Sequence, residues 1–193
     1  MVSLGDVAVY ANDCFRLGEH RVAAPAMDDR VACALLVSVM QALPKTRSTV
    51  IAVFSTQEEV GCRGAKTAAY SVEPDIGIAL DVTANGDTPE TKLPAVKLGE
   101  GAAVKIMDRG SISNPDLVRD LLAAGERAGV KTQREVLPFG GTDASSMQTS
   151  RGGIPVCTLS IPCRYVHSAL ETVDLRDMEA GVALLKAYLE AGV

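Results

Sequence analysis

Acidic side chains recur where two predicted strands end and where the first long helix begins. An apolar run of strand length leads directly into Glu58 and Glu59, a second such run carries Asp81 at its end, and Asp28 opens the helix. Ligand sites of a doubly wound sheet lie at the carboxyl ends of its strands. We therefore expect these carboxylates to converge on one edge of a sheet.

A bound cation would resolve the repulsion that such convergence creates. Glu58 and Glu59 are adjacent, and neighbouring carboxylates are costly to bury because like charges repel and each group loses its hydration. Carboxylates together with an imidazole are ligands typical of zinc, cobalt or manganese. The chain has two histidines, His20 and His167.

Most of these residues also have an ordinary structural explanation when each is taken alone. Negative charge near a helix N-terminus is favourable, so Asp28 and Asp29 can simply cap the first helix. The ordinary explanations for the others are a solvated loop pair (Glu58 and Glu59), a hydrogen-bonded loop histidine (His167), a surface histidine (His20), and a turn with a helix start (Gly140–Asp143). Asp81 is harder to explain in this way, because it ends a buried apolar strand.

The elements that must position these residues alternate between strands and helices. Nearly all-apolar runs rich in β-branched residues predict strands buried on both faces, and apolar residues at helical spacing predict helices. The predicted strands are Thr49–Ser55, Asp75–Val82, Ala103–Met107 and Ile154–Ile161, and the predicted helices are Arg30–Leu43, Asn114–Ala128 and Leu175–Leu189. This alternation indicates an α/β fold with a mixed, largely parallel sheet and helices on both faces.

The N-terminal segment fits this plan less well. Val2–Tyr10 and Arg21–Ala24 are predicted to be short strands, and nothing before them supplies the helix that usually starts such a fold. Residues 1–25 are therefore interpreted separately from residues 26–193.

Composition and charge exclude several classes of protein. The 193 residues are 47% hydrophobic and 22% charged, as in globular proteins, and 19 basic against 24 acidic residues give a net charge of −5. An acidic chain without Trp offers neither the basic surface nor the stacking platforms of a nucleic-acid-binding protein. No apolar run approaches the roughly 18 residues of a membrane span, and the N-terminus lacks a signal-peptide pattern. We expect neither a nucleic-acid nor a membrane partner.

The five cysteines are expected to be reduced. Their number is odd, they are widely spaced, and no C-x-x-C pair occurs, so neither a disulfide framework nor a cysteine zinc site is indicated. Small apolar filler is the commonest role of such thiols, Cys62 and Cys163 included. This pattern is typical of a cytoplasmic protein.

Five ordered motifs resemble those of the di-metal aminopeptidases of metallopeptidase family forty-two, the glutamyl aminopeptidase and tetrahedral (TET) peptidase group. The motifs are AMDDRVACALLV (26–37), STQEEVGCRGA (55–65), ALDVT with GDTP (79–89), FGGTDASSMQ (139–148) and GIPVCTLSIPCRYVHS (153–168). The likeness extends from about Gly5 to the C-terminus. It implies an aminopeptidase with two divalent metal ions, zinc or cobalt, a peptide substrate and assembly into a homo-oligomer.

The resemblance also implies a role for each candidate residue. Glu58 matches the general base, and Asp28 matches the carboxylate that bridges the two metals. Glu59 and His167 match ligands of one metal, and Asp81 matches a ligand of the other. The peptide that follows Asp28 matches one that is often cis in this clan.

The chain departs from the family pattern near its N-terminus. No H-x-D-E segment, which supplies a further histidine ligand in the family, occurs in the sequence. One metal site is therefore expected to keep only Asp28 and Asp81, and His20 is not assigned to it. The family's small β-domain is absent, apart from a remnant with connecting strands in residues 1–25. We interpret residues 26–193 as the C-terminal part of a catalytic domain truncated at its N-terminus.

Three functions follow from these observations. The first is a metal-dependent aminopeptidase that removes N-terminal residues from short peptides. The second is a catalytically inactive fragment or binding and assembly module that keeps the fold and lacks one metal-ligand histidine. The third is a glycosidase with paired carboxylates, against which the scarcity of aromatic sugar platforms speaks.

Overall fold

A single sheet flanked by helices organises the chain. The computed structural model describes residues 1–92 and 95–192. Its strands are β1 (Phe15–Leu17), β2 (Arg21–Ala24), β3 (Gly77–Ala84), β4 (Ala102–Met107), β5 (Thr132–Val136), β6 (Val156–Arg164) and β7 (Glu171–Asp174). Its helices are α1 (Met27–Ala42), α2 (Arg63–Val72), α3 (Pro115–Ala128), α4 (Ala144–Gln148) and α5 (Leu175–Ala191).

Strand β6 lies at the centre of this sheet. It pairs with β3 along one edge, and along the other edge with β4 and, further on, with β7. The order β1-β2-β7-β6-β4-β5, with β3 beside β6, completes the seven-stranded sheet. The mixed α/β sheet predicted from the sequence is confirmed.

The sheet has fewer parallel pairings than the alternation of elements predicts. The β3–β6 and β4–β5 pairs are parallel, and the other four pairs are antiparallel. Short connections account for two of the antiparallel pairs, because residues 18–20 between β1 and β2 and residues 165–170 between β6 and β7 are too few for a parallel crossover.

The two faces of the sheet differ in polarity because side chains alternate along each strand. On one face Val82, Val104 and Leu159 join the main core, which helices α1, α3 and α5 complete. On the other face, β3, β4 and β6 carry Asp81, Lys105 and Thr158 beside a smaller cluster formed with α2 and α4. The polar side chains of the sheet are thus collected on the face that bears the acidic residues.

Local sequence signals explain where the long helices begin and end. The Asn114 side chain accepts hydrogen bonds from the backbone N–H groups of Asp116 and Leu117 and so caps α3, whose first residue is Pro115. Gly129 ends that helix in the left-handed conformation. Helix α5 is capped by Asp174, whose side chain accepts a hydrogen bond from the N–H of Arg176. Both helices lie where the apolar spacing predicts them.

Two strand predictions are wrong. Val2–Tyr10 contains no strand and is exposed throughout, so its apolar residues lack the buried face that a paired strand needs. Thr49–Ser55 contains no strand either. Residues 47–55 and β3 both line a cavity of about 1100 Å³. An apolar sequence alone does not make a strand when no neighbouring backbone completes the ladder.

The sequence prediction also missed short elements. Strands β5 and β7 have five and four residues, and helices α2 and α4 have ten and five. Elements this short give weak periodic signals. Within the described residues, no helix combines the length and apolar character needed to cross a bilayer.

Candidate active site

A tight turn presents Glu58 and Glu59 at the end of the apolar segment. The carbonyl oxygen of Glu58 accepts from the N–H groups of Gly61 (2.9 Å) and Cys62 (2.8 Å). Gly61 has φ 117°, which favours glycine. Gly64 is required for a different reason, since a Cβ there would lie 2.5 Å from backbone atoms of Thr56. This irregular turn lets two adjacent carboxylates point in different directions.

The start of α1 presents a second pair of carboxylates. Asp28 and Asp29 have non-helical backbone angles, and the peptide bond between them is cis. Ala26, the residue before the first residue of α1, is in the left-handed region with φ 54°. The backbone N–H of Asp28 donates to Oε2 of Glu171 (2.9 Å). The helix proper therefore begins after the acidic pair, which faces the cavity described above.

The loop after β6 brings in the imidazole. His167 has φ 62°, and its backbone N–H donates to Oε1 of Glu171 (2.8 Å). Glu171 is only 2% exposed. One buried carboxylate therefore holds the backbone of both Asp28 and His167, through one oxygen each.

Three of the predicted metal ligands meet in one cluster. Nε2 of His167 lies 3.2 Å from Oδ2 of Asp28 and 3.2 Å from Oε2 of Glu59. The Asp28 side chain is 12% exposed, against 58% for Glu59 and 67% for His167. The cluster is thus buried at Asp28 and accessible to solutes at Glu59 and His167.

Asp28 also belongs to a second cluster. Potential ligand atoms of Asp28, Asp29 and Asp81 all lie within 4.8 Å of one another. One Asp81 oxygen accepts from the N–H of Val82 (2.8 Å), and Oδ1 of Asp29 is buried with no hydrogen-bond partner among the described residues. The two clusters share Asp28 and form a continuous acidic group.

Burial and mutual repulsion make these carboxylates weak acids. Burial, followed by the charges of Glu59 and Glu171, raises the pKa of Asp28 to about 6. Burial and the charge of Asp81 raise the pKa of Asp29 to about 9, and burial and the charge of Asp28 hold the pKa of Asp81 well above its ordinary value. Such a group is short of positive charge.

A third group surrounds Glu58. Its carboxylate, the Cys62 thiol and the Asp143 carboxylate offer polar atoms within 4.8 Å of one another. Asp143 is held by a hydrogen bond from the Ser55 hydroxyl. Burial raises the pKa of Glu58, against the lowering effect of the hydrogen bond from Cys62.

The structure brings the five residues singled out in the sequence to one place. Asp28, Glu59 and His167 form the first cluster, Asp81 belongs to the second, and Glu58 lines the same cavity as Asp28, Glu59 and Asp81. His20 lies outside these clusters, in the turn before β2, with Nε2 3.7 Å from Glu19.

Sequence reasoning did not assign four further residues of the site. Asp29 was visible as a neighbour of Asp28, and Asp143 and Cys62 lie inside the quoted motifs, but their contacts depend on the fold. Glu171 gave no signal, because a single acidic residue at the start of a short strand is common. Its role follows only from the approach of α1 to the loop after β6.

The residues present fit divalent cations. The first cluster offers two carboxylates and an imidazole, a donor set typical of zinc and related transition metals. The second offers carboxylates with a buried, unpartnered oxygen on Asp29. A shared carboxylate, here Asp28, is what two neighbouring cations require of a bridging ligand.

Comparison with known proteins assigns the chain to a family. The model of the M42 glutamyl aminopeptidases matches residues 1–184. A putative aminopeptidase of Acetivibrio thermocellus is 45% identical over 185 residues, which are 96% of this chain and 56% of that protein.

Solved structures agree with this assignment. An aminopeptidase from the archaeon Desulfurococcus kamchatkensis is 36% identical and superposes with a TM-score of 0.95, covering 100% of this chain and 55% of the other. The TET1 peptidase of Pyrococcus horikoshii, described as assembling into a tetrahedron or a large octahedral shell, is 33% identical with a TM-score of 0.84, covering 94% of this chain and 53% of the other. The chain spans about half the length of the curated relatives it matches.

Proposed function

The chain belongs to the M42 glutamyl aminopeptidase family. On that premise we propose that it catalyses the metal-dependent hydrolysis that releases N-terminal residues from short peptides. One observation carries the proposal: Nε2 of His167 lies 3.2 Å from a carboxylate oxygen of both Asp28 and Glu59, and Asp28 is shared with a second acidic cluster. An open cluster of two carboxylates and one imidazole is suited to a catalytic metal rather than to core stability.

The ligands divide between two cations in this proposal. Asp28, Glu59 and His167 hold one ion, zinc or cobalt. Asp28 and Asp81 hold the other, with Asp29 beside them. When bound, such ions polarise a scissile carbonyl and lower the pKa of a water molecule.

Glu58 is the general base in this proposal. It lines the same cavity as Asp28 and Asp81 but belongs to a separate group of contacts with Cys62 and Asp143, so its carboxylate is available for a proton. Glu58 takes the proton of the attacking water and delivers it to the nitrogen of the leaving amine, as one group acting first as base and then as acid. Because burial raises its pKa, Glu58 holds that proton more readily than an exposed glutamate does.

A catalytically inactive binding or assembly module is the second candidate. The observation that favours it is the donor set of the second cluster, which contains carboxylates and no histidine. A glycosidase is less favoured, because the described cavity lining contains Phe54 and Tyr188 as its aromatic residues, which offers little surface for stacking a sugar.

Three further proposals concern the whole protein. Residues 1–25 are a remnant of the family's inserted β-domain with its connecting strands, and residues 26–193 are the C-terminal part of the catalytic domain. The protein assembles with copies of itself, which the shell formed by the TET1 peptidase and the exposed apolar residues Ile51 and Phe54 support. It acts in the cytoplasm on peptides.

The experiment is a comparison of substrates after addition of zinc or cobalt. Hydrolysis of an aminoacyl amide, with no release from a cellulose oligomer and with loss of the activity on chelation, supports the aminopeptidase. Binding of metal without hydrolysis of either substrate supports the inactive module, and release from the oligomer supports the glycosidase.

A further inference from the structure

We propose that Cys62 is a positioning residue for Glu58, whose thiol holds one carboxylate oxygen and so leaves the other to take the proton. The proposal rests on the function proposed above for Glu58. It assigns a chemical role to a cysteine that composition alone presents as apolar filler.

Two contacts tie Cys62 to Glu58. Sγ of Cys62 lies 3.5 Å from Oε1 of Glu58, within hydrogen-bond range for sulfur. The backbone N–H of Cys62 donates to the carbonyl oxygen of the same glutamate at 2.8 Å. The side-chain contact therefore closes a ring with the backbone contact and restricts the rotamers that Glu58 can adopt.

The surroundings direct the thiol proton toward Glu58. A second acceptor, the Thr142 carbonyl oxygen, also lies 3.5 Å from Sγ. That oxygen already accepts a hydrogen bond from the Ser145 hydroxyl at 2.8 Å. The same hydroxyl lies farther from Sγ of Cys62, at 3.8 Å. A carboxylate is also the stronger acceptor, because hydrogen bonds to charged groups are about twice as strong as neutral ones.

The backbone fixes Cys62 in this place. It has φ 51° and immediately precedes α2, so the start of the helix fixes the direction in which its Cα–Cβ bond points. The residue is 9% exposed. Burial raises the pKa of the thiol to about 12, which keeps its proton in place as a donor.

Infrared spectroscopy tests the contact between Cys62 and Glu58 without requiring the chain to be catalytically active. The S–H stretching band of Cys62 is isolated as the difference between the native chain and Cys62→Ala. Glu58→Gln replaces a charged acceptor with a neutral one, so this band is expected to move to higher frequency. The control is the S–H band of Cys157, a buried thiol that contacts the Lys105 carbonyl at 3.6 Å, and it is isolated in the same way with Cys157→Ala. Its frequency is expected to be unchanged by Glu58→Gln. A Cys62 band that does not respond to Glu58→Gln would overturn the proposal.

Kinetics test the consequence. Cys62→Ala is expected to lower kcat on an aminoacyl amide by roughly 3- to 10-fold with little change in KM, the effect of losing one hydrogen bond. Cys62→Ser keeps a donor of similar size and is expected to recover most of the loss. Metal content is expected to be equal in the native chain and both variants.

The outcomes separate this inference from the proposed function. Equal loss in Cys62→Ser and Cys62→Ala, or a change confined to KM, contradicts positioning by the thiol. A native chain that binds metal but hydrolyses no aminoacyl amide contradicts the proposed function, and with it the catalytic purpose of the contact, while the infrared shift still decides whether the contact exists.

Discussion

Nε2 of His167 lies 3.2 Å from Oδ2 of Asp28, although these residues come from opposite ends of the chain. Their approach depends on Glu171, which accepts the backbone N–H of each. The loop after β6 and the start of α1 are therefore joined through one buried carboxylate. A change at Glu171 should affect the geometry of the cluster without removing any ligand.

Glu171→Gln tests this link. Glutamine keeps one carbonyl oxygen and turns the other acceptor into a donor, so one N–H is left without its partner. We expect a loss of about 1–3 kcal/mol in the free energy of unfolding and metal binding weaker by about 10- to 100-fold. Urea unfolding and a metal titration measure the two effects. Glu190→Gln, at an exposed position on α5, is the control, and equal behaviour of the two variants would contradict the link.

The two metal sites should differ in affinity. The cluster with His167 offers an imidazole and two carboxylates, whereas the cluster with Asp81 offers carboxylates alone, a poorer set for zinc or cobalt. After mild chelation, we expect anomalous scattering to show one retained ion beside His167. His167→Ala should remove that ion, and Asp81→Asn should leave it. Two equally retained ions would show that the inequality is wrong.

A buried ion cluster beneath the polar face should contribute strongly to stability. Nζ of Lys105 lies 3.2 Å from Glu135 and 3.6 Å from Asp108, and all three side chains are at most 1% exposed. Lys105→Met leaves two buried carboxylates without their cation, so we expect a loss of about 3–5 kcal/mol in the free energy of unfolding. Lys97→Met, at an exposed position, should change it little. A similar small change for both would argue against the cluster.

Asp177 should make stability depend on pH. Burial raises its pKa from 3.8 to about 6, although the N–H groups of Gly99 and Gly101 oppose the shift. The folded chain therefore binds this proton more tightly than the unfolded chain, and the free energy of unfolding should fall as pH rises through this interval. Asp177→Asn should flatten that fall in urea titrations, whereas Asp116→Asn, at an exposed position, should not. An unchanged slope in Asp177→Asn would contradict the assignment.

The sequence predicted those features of the fold that rest on long patterns. The three long helices and the strands around β3, β4 and β6 have clear apolar periodicity, and the structure contains them. Thr49–Ser55 has an equally strong strand pattern but forms no ladder, because pairing depends on a neighbour and not on composition. Short elements such as β5 and β7 were missed for lack of a periodic signal.

The candidate site was predictable to the extent that its residues lie in motifs. Asp28, Glu58 and Asp81 each stand at one end of a predicted element, and ligand sites of such sheets lie at the ends of strands, so their convergence was expected. In the structure Asp81 lies within β3, and the segment before Glu58 is not a strand. The contacts that orient these residues were not predictable. Glu171 accepts hydrogen bonds from the backbone of both Asp28 and His167, and so joins segments that are far apart in the sequence. The hydrogen bond from Cys62 to Glu58 depends on backbone angles that residue spacing does not reveal.

The hydrolysis of an aminoacyl amide by Glu58→Gln, measured beside its bound metal, tests the proposed chemistry most directly. Glutamine keeps the size of the side chain and cannot accept the proton, so we expect activity to fall by about 10²- to 10⁴-fold with metal content unchanged. His167→Ala should lose metal and activity together, and Glu126→Gln on the exposed face of α3 should lose neither. Activity retained by Glu58→Gln, or metal lost from it as completely as from His167→Ala, would contradict the assignment of Glu58 as the base.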